Sequence, residues 1–276
     1  MKKLNFIIKC GLALLLLSFY SCESWLNVTP SDRLSEEMLF NDREGFVKAL
    51  NGVYIELNTN ELYGRNLTAG ALDVMGQYYS VASSSHAFYN YGGLVYTGND
   101  EKALFDNMWQ KCYAVIACCN TIIEKCDENK AGLSPVWRGS IKGEALALRA
   151  MLHFDMLRLF GPLTSELDKE SIPYQTNSDQ TVTPLLSGSE VVGLILDDLK
   201  NAVGLLKDTD PYFVEEEFSD TDLNYRRFRM NYFAAKGLMA RVQLWGGDKE
   251  KAAATAKEVI AEGQAEGAEF FPFVTN

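Results

Sequence analysis

Basic charge is scarce in this sequence of 276 residues, whose formal net charge is −11. No cluster of lysine and arginine stands out, which argues against a nucleic-acid-binding protein because such proteins neutralise phosphates with basic patches. Alternation of polar and apolar residues, the pattern of half-buried strands, is also scarce. No serine or cysteine nucleophile with an orienting partner is visible near His153, so a catalytic triad is not indicated.

Metal-ligand spacing is missing as well. Four cysteines fall in one helical stretch, without a C-x-x-C pair and with directions that disfavour disulfides. They are Cys112, Cys118, Cys119 and Cys126. We expect buried free thiols here instead of a metal cluster. An acidic run near residues 215–220 lacks EF-hand spacing, so we expect a solvated loop instead of a calcium site.

The N-terminal segment has the features of an export signal. Lysines precede an apolar core, residues 12–17, that is too short to span a bilayer as a helix. A small residue then precedes Cys22, as at a bacterial lipoprotein processing site. We expect residues 1–21 to be a signal peptide and Cys22 to carry the lipid. An ordinary secretory signal followed by a chance cysteine is the alternative.

Helical periodicity dominates the remaining chain. Residues 141–163 carry apolar side chains on more than one stripe, which predicts a central helix buried on several sides that stops at Gly161. A further helix is predicted to begin after Asp42, which is a plausible N-cap, and others are predicted over residues 64–75, 99–126 and 187–206. Residues 230–245 and 249–262 predict a helical hairpin of tetratricopeptide type. Residues 163–186 are expected to be irregular. The predicted class is all-α, with tetratricopeptide-like hairpins and long irregular loops.

Polar residues inside these apolar helices are expected to be paired. Asp155 and Arg158 are three residues apart and share a helix face, as do Arg149 and His153 at a spacing of four. Asn120 lies on an apolar face, so we expect its side chain to bond a neighbouring backbone group.

Several motifs resemble those of the SusD/RagB family, nutrient-binding lipoproteins of the Bacteroidota outer membrane. The central helix reads G-E-A-x-A-L-R-A and ends in F-G-P-L, and the helix before it reads W-x-x-x-Y-x-x-I-x-x-x-N-x-I-I from Trp109. An earlier segment reads A-L-N-G-V-Y from Ala49. The resemblance covers nearly all of residues 22–276 but about half of the family's architecture. It implies that residues 22–276 are an N-terminal helical domain truncated at the C-terminus, either as a portion of a longer protein or as a truncated reading frame.

The resemblance also suggests a ligand site in residues 77–96, where Ser, Gly and aromatic residues show little periodicity. Such loops are exposed, and aromatic faces stack on the apolar faces of sugar rings while amides bond the hydroxyl groups. The candidate ligand-binding residues are Tyr78, Tyr79, Phe88, Tyr89, Asn90, Tyr91 and Tyr96. We expect about half of the aromatic rings to pack the loop onto the core instead.

The function implied by the resemblance is uptake without catalysis, cofactor or metal. The protein would bind a glycan or other nutrient oligomer at the cell exterior, anchored in the outer membrane by its lipid, and pass it to a SusC-like TonB-dependent transporter. A tetratricopeptide-type envelope scaffold that binds only protein partners is the alternative. A surface glycoside hydrolase would need two carboxylates facing each other across a cleft, and no cleft-forming β architecture is indicated.

Overall fold

The computed structural model describes residues 36–179 and 181–264, which divide into two units. The first unit ends at Leu39, and its described part is one helical turn, α1 (Glu36–Leu39). The second unit begins at Phe40 and contains the elements that follow.

Two sequence predictions fall outside the described residues. These are the signal peptide, residues 1–21, and the lipid attachment site Cys22. Within the described part of the chain, no helix combines the length and the apolarity that crossing a bilayer would require.

Helices make up most of the second unit, as predicted. The elements in chain order are α2 (Arg43–Leu57), α3 (Ala71–Met75), α4 (Tyr89–Gly92), α5 (Asn99–Glu128), α6 (Pro135–Phe160), β1 (Glu170–Pro173), β2 (Leu185–Ser187), α7 (Gly188–Thr209), α8 (Asp220–Tyr225), α9 (Tyr232–Trp245) and α10 (Lys249–Gly263). Short 3-10 turns, Glu215–Glu217 and Arg226–Phe228, flank α8. Helix α6 packs against both α5 and α7, α9 packs on α7, and α10 packs on α9. Consecutive helices therefore form stacked antiparallel hairpins around α6.

The central helix α6 begins earlier than its apolar pattern predicts. Ser134 is its N-cap, with a hydroxyl that accepts a hydrogen bond from the Trp137 backbone N–H at 3.3 Å, and Pro135 occupies the first turn. A serine cap followed by proline is a strong helix start, because proline lacks only an N–H that would have no partner there. The run Arg138-Gly139-Ser140 interrupts the apolar spacing in the first two turns, and this is why periodicity alone placed the start at residue 141.

Close contact between α6 and α7 depends on glycine. A Cβ atom at Gly143 would lie 2.8 Å from Cγ of Leu206, nearer than real Cβ contacts come. Nearly every residue of α6 from Gly139 to Leu157 is buried, which confirms the prediction of a helix covered on several sides.

The hairpin of α9 and α10 is confirmed, and capping residues fix both helix starts. The side chains of Asn231 and Asp248 accept backbone N–H groups at the first turns of α9 and α10. Gly247 in the connecting turn has φ 91°, which favours glycine over other residues. Ile260, an apolar residue of α10, is 49% exposed.

Two segments differ from their predicted structure. Of the helix predicted over residues 64–75, only α3 forms, because the preceding residues wrap into tight turns around glycine. A Cβ at Gly70 would lie 2.7 Å from the Arg65 carbonyl oxygen. Residues 163–186, predicted to be irregular, contain β1 and the first two residues of β2, and these strands pair antiparallel with Glu170 opposite Ser187. These strands have three or four residues each, too few to produce a visible alternation.

A buried ion pair joins α6 to α7. Arg149 donates from Nε and Nη2 to the two carboxylate oxygens of Asp198, both at 2.7 Å, and the Tyr174 hydroxyl donates to Asp198 at 2.6 Å. The guanidinium also donates to the Thr176 carbonyl at 3.3 Å. The pair therefore also holds the chain that leaves β1.

Asn120 and His153 hold the same chain from the other helices. Asn120 Nδ2 donates to the carbonyl oxygens of Gln175 at 3.2 Å and Asn177 at 2.8 Å, which confirms the predicted backbone contact. His153 Nε2 accepts from the Gln175 N–H at 3.0 Å, while Nδ1 lies 3.0 Å from the Arg149 carbonyl. Both ring nitrogens are thus engaged with backbone, so His153 is structural. We call Asn120, Arg149, His153, Tyr174 and Asp198 the polar clamp.

The predicted pair of Asp155 and Arg158 is present, with Arg158 Nε 3.1 Å from Asp155 Oδ1. The prediction of buried free thiols is confirmed for three of the four helical cysteines and wrong for Cys118, which is exposed. Neighbouring side chains of a helix point in different directions, so Cys118 is exposed while Cys119 is buried in the core. Burial raises the pKa of the Cys126 thiol to about 12, so that thiol stays protonated at neutral pH.

Candidate ligand-binding surface

The aromatic loop, residues 77–96, is anchored by a small hydrophobic cluster of its own. Tyr91 is 2% exposed and packs with Ala71 and Val74. Phe88 and Tyr96 pack against this cluster with ring centroids 5.9 and 6.2 Å from that of Tyr91. Three of the seven candidate residues are thus packing residues, and a ligand has little access to Tyr91.

Asn90 ties the loop to the first turn of α5. Its side-chain amide donates to Glu101 Oε1 at 2.7 Å, and Glu101 is itself buried. Burial and, to a smaller extent, the nearby carboxylates of Glu101 and Asp100 raise the pKa of Tyr91 to about 12. The Tyr91 hydroxyl is therefore neutral at physiological pH. Asn90 acts here as a brace, although its exposed side chain still borders the surface.

Backbone strain marks both ends of the loop. Gln77 and Leu94 have φ 62° and 55°, in the left-handed region that costs non-glycine residues free energy. Gln77 Nε2 donates to the Gly92 carbonyl oxygen at 3.0 Å, which joins the start of the loop to the α4 turn. Such conformations persist where surrounding contacts fix them. The loop is therefore a braced structure.

Three tyrosines remain available on this braced loop. Tyr78, Tyr79 and Tyr89 are 80%, 55% and 42% exposed. The Gln77 bond joins the segment that continues into Tyr78 and Tyr79 to the α4 turn, which carries Tyr89. Exposed aromatic rings on a braced loop are common features of binding sites. The arrangement suits stacking on the apolar face of a ligand.

Sequence reasoning missed the residues that support this surface. Gln77 and Glu101 brace it, and the guanidinium of Arg65 lies 5.8 Å from the Phe88 ring centroid. Their partners are 11 to 23 residues away, beyond the reach of local patterns. The one available signal was Glu101, an acid in the first turn of a long predicted helix, which is a common and unspecific feature.

Comparison with known proteins gives a consistent result. Residues 24–244 match the SusD-like family described as starch-binding and associating with the outer membrane. The chain is 25% identical over 265 residues to SusD-like protein P2 of Formosa agariphila, covering 94% of this chain and 46% of that protein. It is 30% identical over 146 residues to a SusD-like protein of Bacteroides ovatus, covering 51% of this chain and 23% of that one.

Solved structures agree at the level of the fold. A SusD superfamily protein from Bacteroides thetaiotaomicron superposes with TM-score 0.61 and 22% identity, covering 81% of this chain and 47% of that structure. A SusD-like carbohydrate-binding protein from Bacteroides vulgatus gives TM-score 0.64 and 24% identity, with 80% and 45% covered. A laminarin-binding SusD-like protein gives TM-score 0.58 and 17% identity, with 80% and 44% covered. The chain spans about half the length of these structures or less.

Proposed function

This chain belongs to the SusD-like family of starch-binding proteins associated with the outer membrane, and from that premise we propose that it captures a glycan, or another nutrient oligomer, at the cell surface. The observation that carries the proposal is the set of exposed rings of Tyr78, Tyr79 and Tyr89 on a loop braced at both ends. A braced loop loses little conformational entropy when it binds, so more of the contact energy appears as affinity.

The mechanism is binding and release, without covalent chemistry. Aromatic faces stack on the apolar faces of sugar rings, and amide groups such as that of Asn90 bond the hydroxyl groups. The captured glycan then passes to a SusC-like TonB-dependent transporter. The stacked hairpins around α6 offer the broad protein-binding face that such a partner requires.

Anchoring at the outer face of the outer membrane would come from lipid on Cys22. One acyl chain gives only marginal membrane binding, so the several chains of a bacterial lipoprotein are needed for stable attachment. Replacing Cys22 with Ala should release the protein into the soluble fraction. Retention of that variant in membranes would contradict lipid anchoring.

Glycan titration of the purified protein tests the binding proposal. Combined replacement of Tyr78, Tyr79 and Tyr89 with Ala should weaken binding at least 30-fold, since losing central aromatic contacts costs about 2 kcal/mol or more. Ile55→Ala with Leu163→Ala is a matched control, because these apolar side chains are 69% and 71% exposed outside the loop. Equal affinities in the two variants would refute a loop site. Failure to bind any glycan in a broad panel would favour the protein-only scaffold.

A detergent pull-down from outer membranes tests the transfer step. The expected result is a large barrel protein that co-elutes in stoichiometric amount and is identified by its mass. Recovery of the protein without a barrel would contradict the proposed partner and leave glycan binding as a separate question.

A further inference from the structure

A cleft of about 410 Å³ lies away from the aromatic loop, between α2, the start of α6 and the connection from α7 to α9. It shares no lining residue with residues 77–96. Its volume falls in the range of roughly 300–1,000 Å³ that is usual for small-molecule sites.

Aromatic rings form one wall and the rim of this cleft. Tyr225 and Phe228 on the rim are 62% and 68% exposed. Deeper in the cleft, Trp137 packs against Phe218 with ring centroids 4.5 Å apart, and the guanidinium of Arg43 lies 4.8 Å from the Trp137 ring. Packing and cation–π contact hold the indole in one position. The cleft therefore offers a packed ring inside and exposed rings at its mouth.

A buried network of charges forms the floor. The Glu144 carboxylate, 2% exposed, accepts hydrogen bonds from Tyr54, Arg226 and Arg229, and Arg226 also forms a bidentate pair with Asp210. Burial acts to raise the pKa of Glu144, but the two guanidinium groups outweigh it and hold that pKa below its usual value. Two positive and two negative charges are thus paired, and the floor is electrically balanced.

Some polar groups beside this floor have hydrogen-bonding atoms that no described residue uses. Arg229 uses Nε for Glu144 at 2.8 Å and Nη1 for Asn51 Oδ1 at 2.6 Å. Among the described residues, none bonds Arg229 Nη2 or Asn51 Nδ2. Asp222 also lines the cleft, and its N-capping bonds to Ser219 use only Oδ2. Two donors and one acceptor therefore border the cavity.

We propose that this cleft is a second sugar-binding subsite, which takes one neutral pyranose unit. The apolar face of the sugar ring stacks on the exposed rim rings beside Trp137, and its hydroxyl groups bond Asn51, Arg229 and Asp222. A neutral sugar fits better than a uronate or sulfated sugar because the arginine charges of the floor are already paired. This subsite rests on the proposed glycan-binding function. It would let one glycan chain, or two neighbouring chains, engage two weak sites and gain avidity.

Fluorine NMR of the protein labelled with 5-fluorotryptophan tests the subsite. The Trp137 signal is assigned by its loss in Trp137→Phe. Maltoheptaose, laminariheptaose and xylohexaose are the probes, each titrated to millimolar concentration. We expect at least one of them to shift the Trp137 signal saturably, and to do so also in the variant that lacks Tyr78, Tyr79 and Tyr89.

Rim variants supply the matched comparison. Tyr225→Ala with Phe228→Ala should weaken the affinity reported by Trp137 about tenfold or more, as expected for aromatic contacts, without unfolding the protein because both side chains are exposed. Phe213→Ala is the control, since that ring is 44% exposed and does not line the cleft. If the glycan binds through the loop tyrosines while the Trp137 signal stays unmoved, the subsite is refuted and the proposed function stands. If no probe binds either site, both are refuted.

Discussion

The pH dependence of stability depends on how His153 is buried. Its ring has no exposed surface and stacks on Tyr174 with ring centroids 4.0 Å apart. Since Nε2 accepts the Gln175 N–H, the ring is held neutral with its proton on Nδ1, toward the Arg149 carbonyl. Burial, reinforced by the charge of Arg149, lowers the pKa of His153 to about 3, although the bond to the Arg149 carbonyl acts in the opposite direction.

The size of the effect follows from proton linkage. Between pH 6.5 and pH 3 the unfolded chain binds a proton at this histidine and the folded chain does not. The free energy of unfolding is therefore highest above about pH 6.5, where His153 is neutral in both states. It decreases as the pH falls toward 3, because only the unfolded chain gains the proton. A pH of 5 lies about 1.5 units below the pKa of histidine in the unfolded chain. At 1.36 kcal/mol per unit, the free energy of unfolding falls by about 2 kcal/mol. This value requires only that the folded-state pKa lie well below 5.

Urea denaturation at pH 7.5 and pH 5.0 measures this loss. The sequence has two histidines, and the other, His86, is exposed. His86→Gln should retain the loss of about 2 kcal/mol, whereas His153→Gln should be less stable at pH 7.5 but lose little more at pH 5.0. A free energy of unfolding that falls equally in both variants would refute the assignment to His153. So would a wild-type protein whose stability is the same at both pH values.

Two further predictions concern the contact between α6 and α7. Gly143→Ala should destabilise the protein by about 1–3 kcal/mol, since the new Cβ would meet Leu206. Gly193 is exposed on α7 with nothing within 4 Å of an added Cβ, so Gly193→Ala should raise the free energy of unfolding by about 0.5–1 kcal/mol. Urea midpoints of the two variants check this, and similar shifts would contradict the close approach. Asp198→Asn should cost about 3–5 kcal/mol, because it leaves the buried Arg149 without an ionised partner, and a loss below about 1 kcal/mol would count against the polar clamp.

The fold was largely predictable because its helices are long and strongly patterned. Both α6 and the hairpin of α9 and α10 carry apolar residues at helical spacing, and Asp42 was found as an N-cap from sequence. The start of α6 was missed because Arg138, Gly139 and Ser140 interrupt the apolar spacing, even though Ser134 and Pro135 signal a helix start. The pair of β1 and β2 was missed because strands so short have no period to detect.

The sequence could not predict which rings of the aromatic loop are exposed and which are packed. Tyr89 and Tyr91 are two residues apart in one turn, yet Tyr89 is 42% exposed and Tyr91 only 2%. Which of them faces solvent depends on α3 and α5, which lie elsewhere in sequence. The cleft proposed as a second subsite could not be predicted for the same reason, since its residues Arg226 and Glu144 are 82 positions apart in the sequence.

The aromatic loop has one set of residues that pack it onto the core and another set that is exposed, and this separation affects how the sequence can change during evolution. Tyr91 and Phe88 hold the loop, while Tyr78 and Tyr79 contribute little to its packing because most of their surface is exposed. Substitutions at exposed positions usually change stability by less than about 0.5 kcal/mol. New side chains can therefore be sampled at Tyr78 and Tyr79 while the scaffold stays folded, and under the proposed function the preferred ligand could change in single steps through stable intermediates.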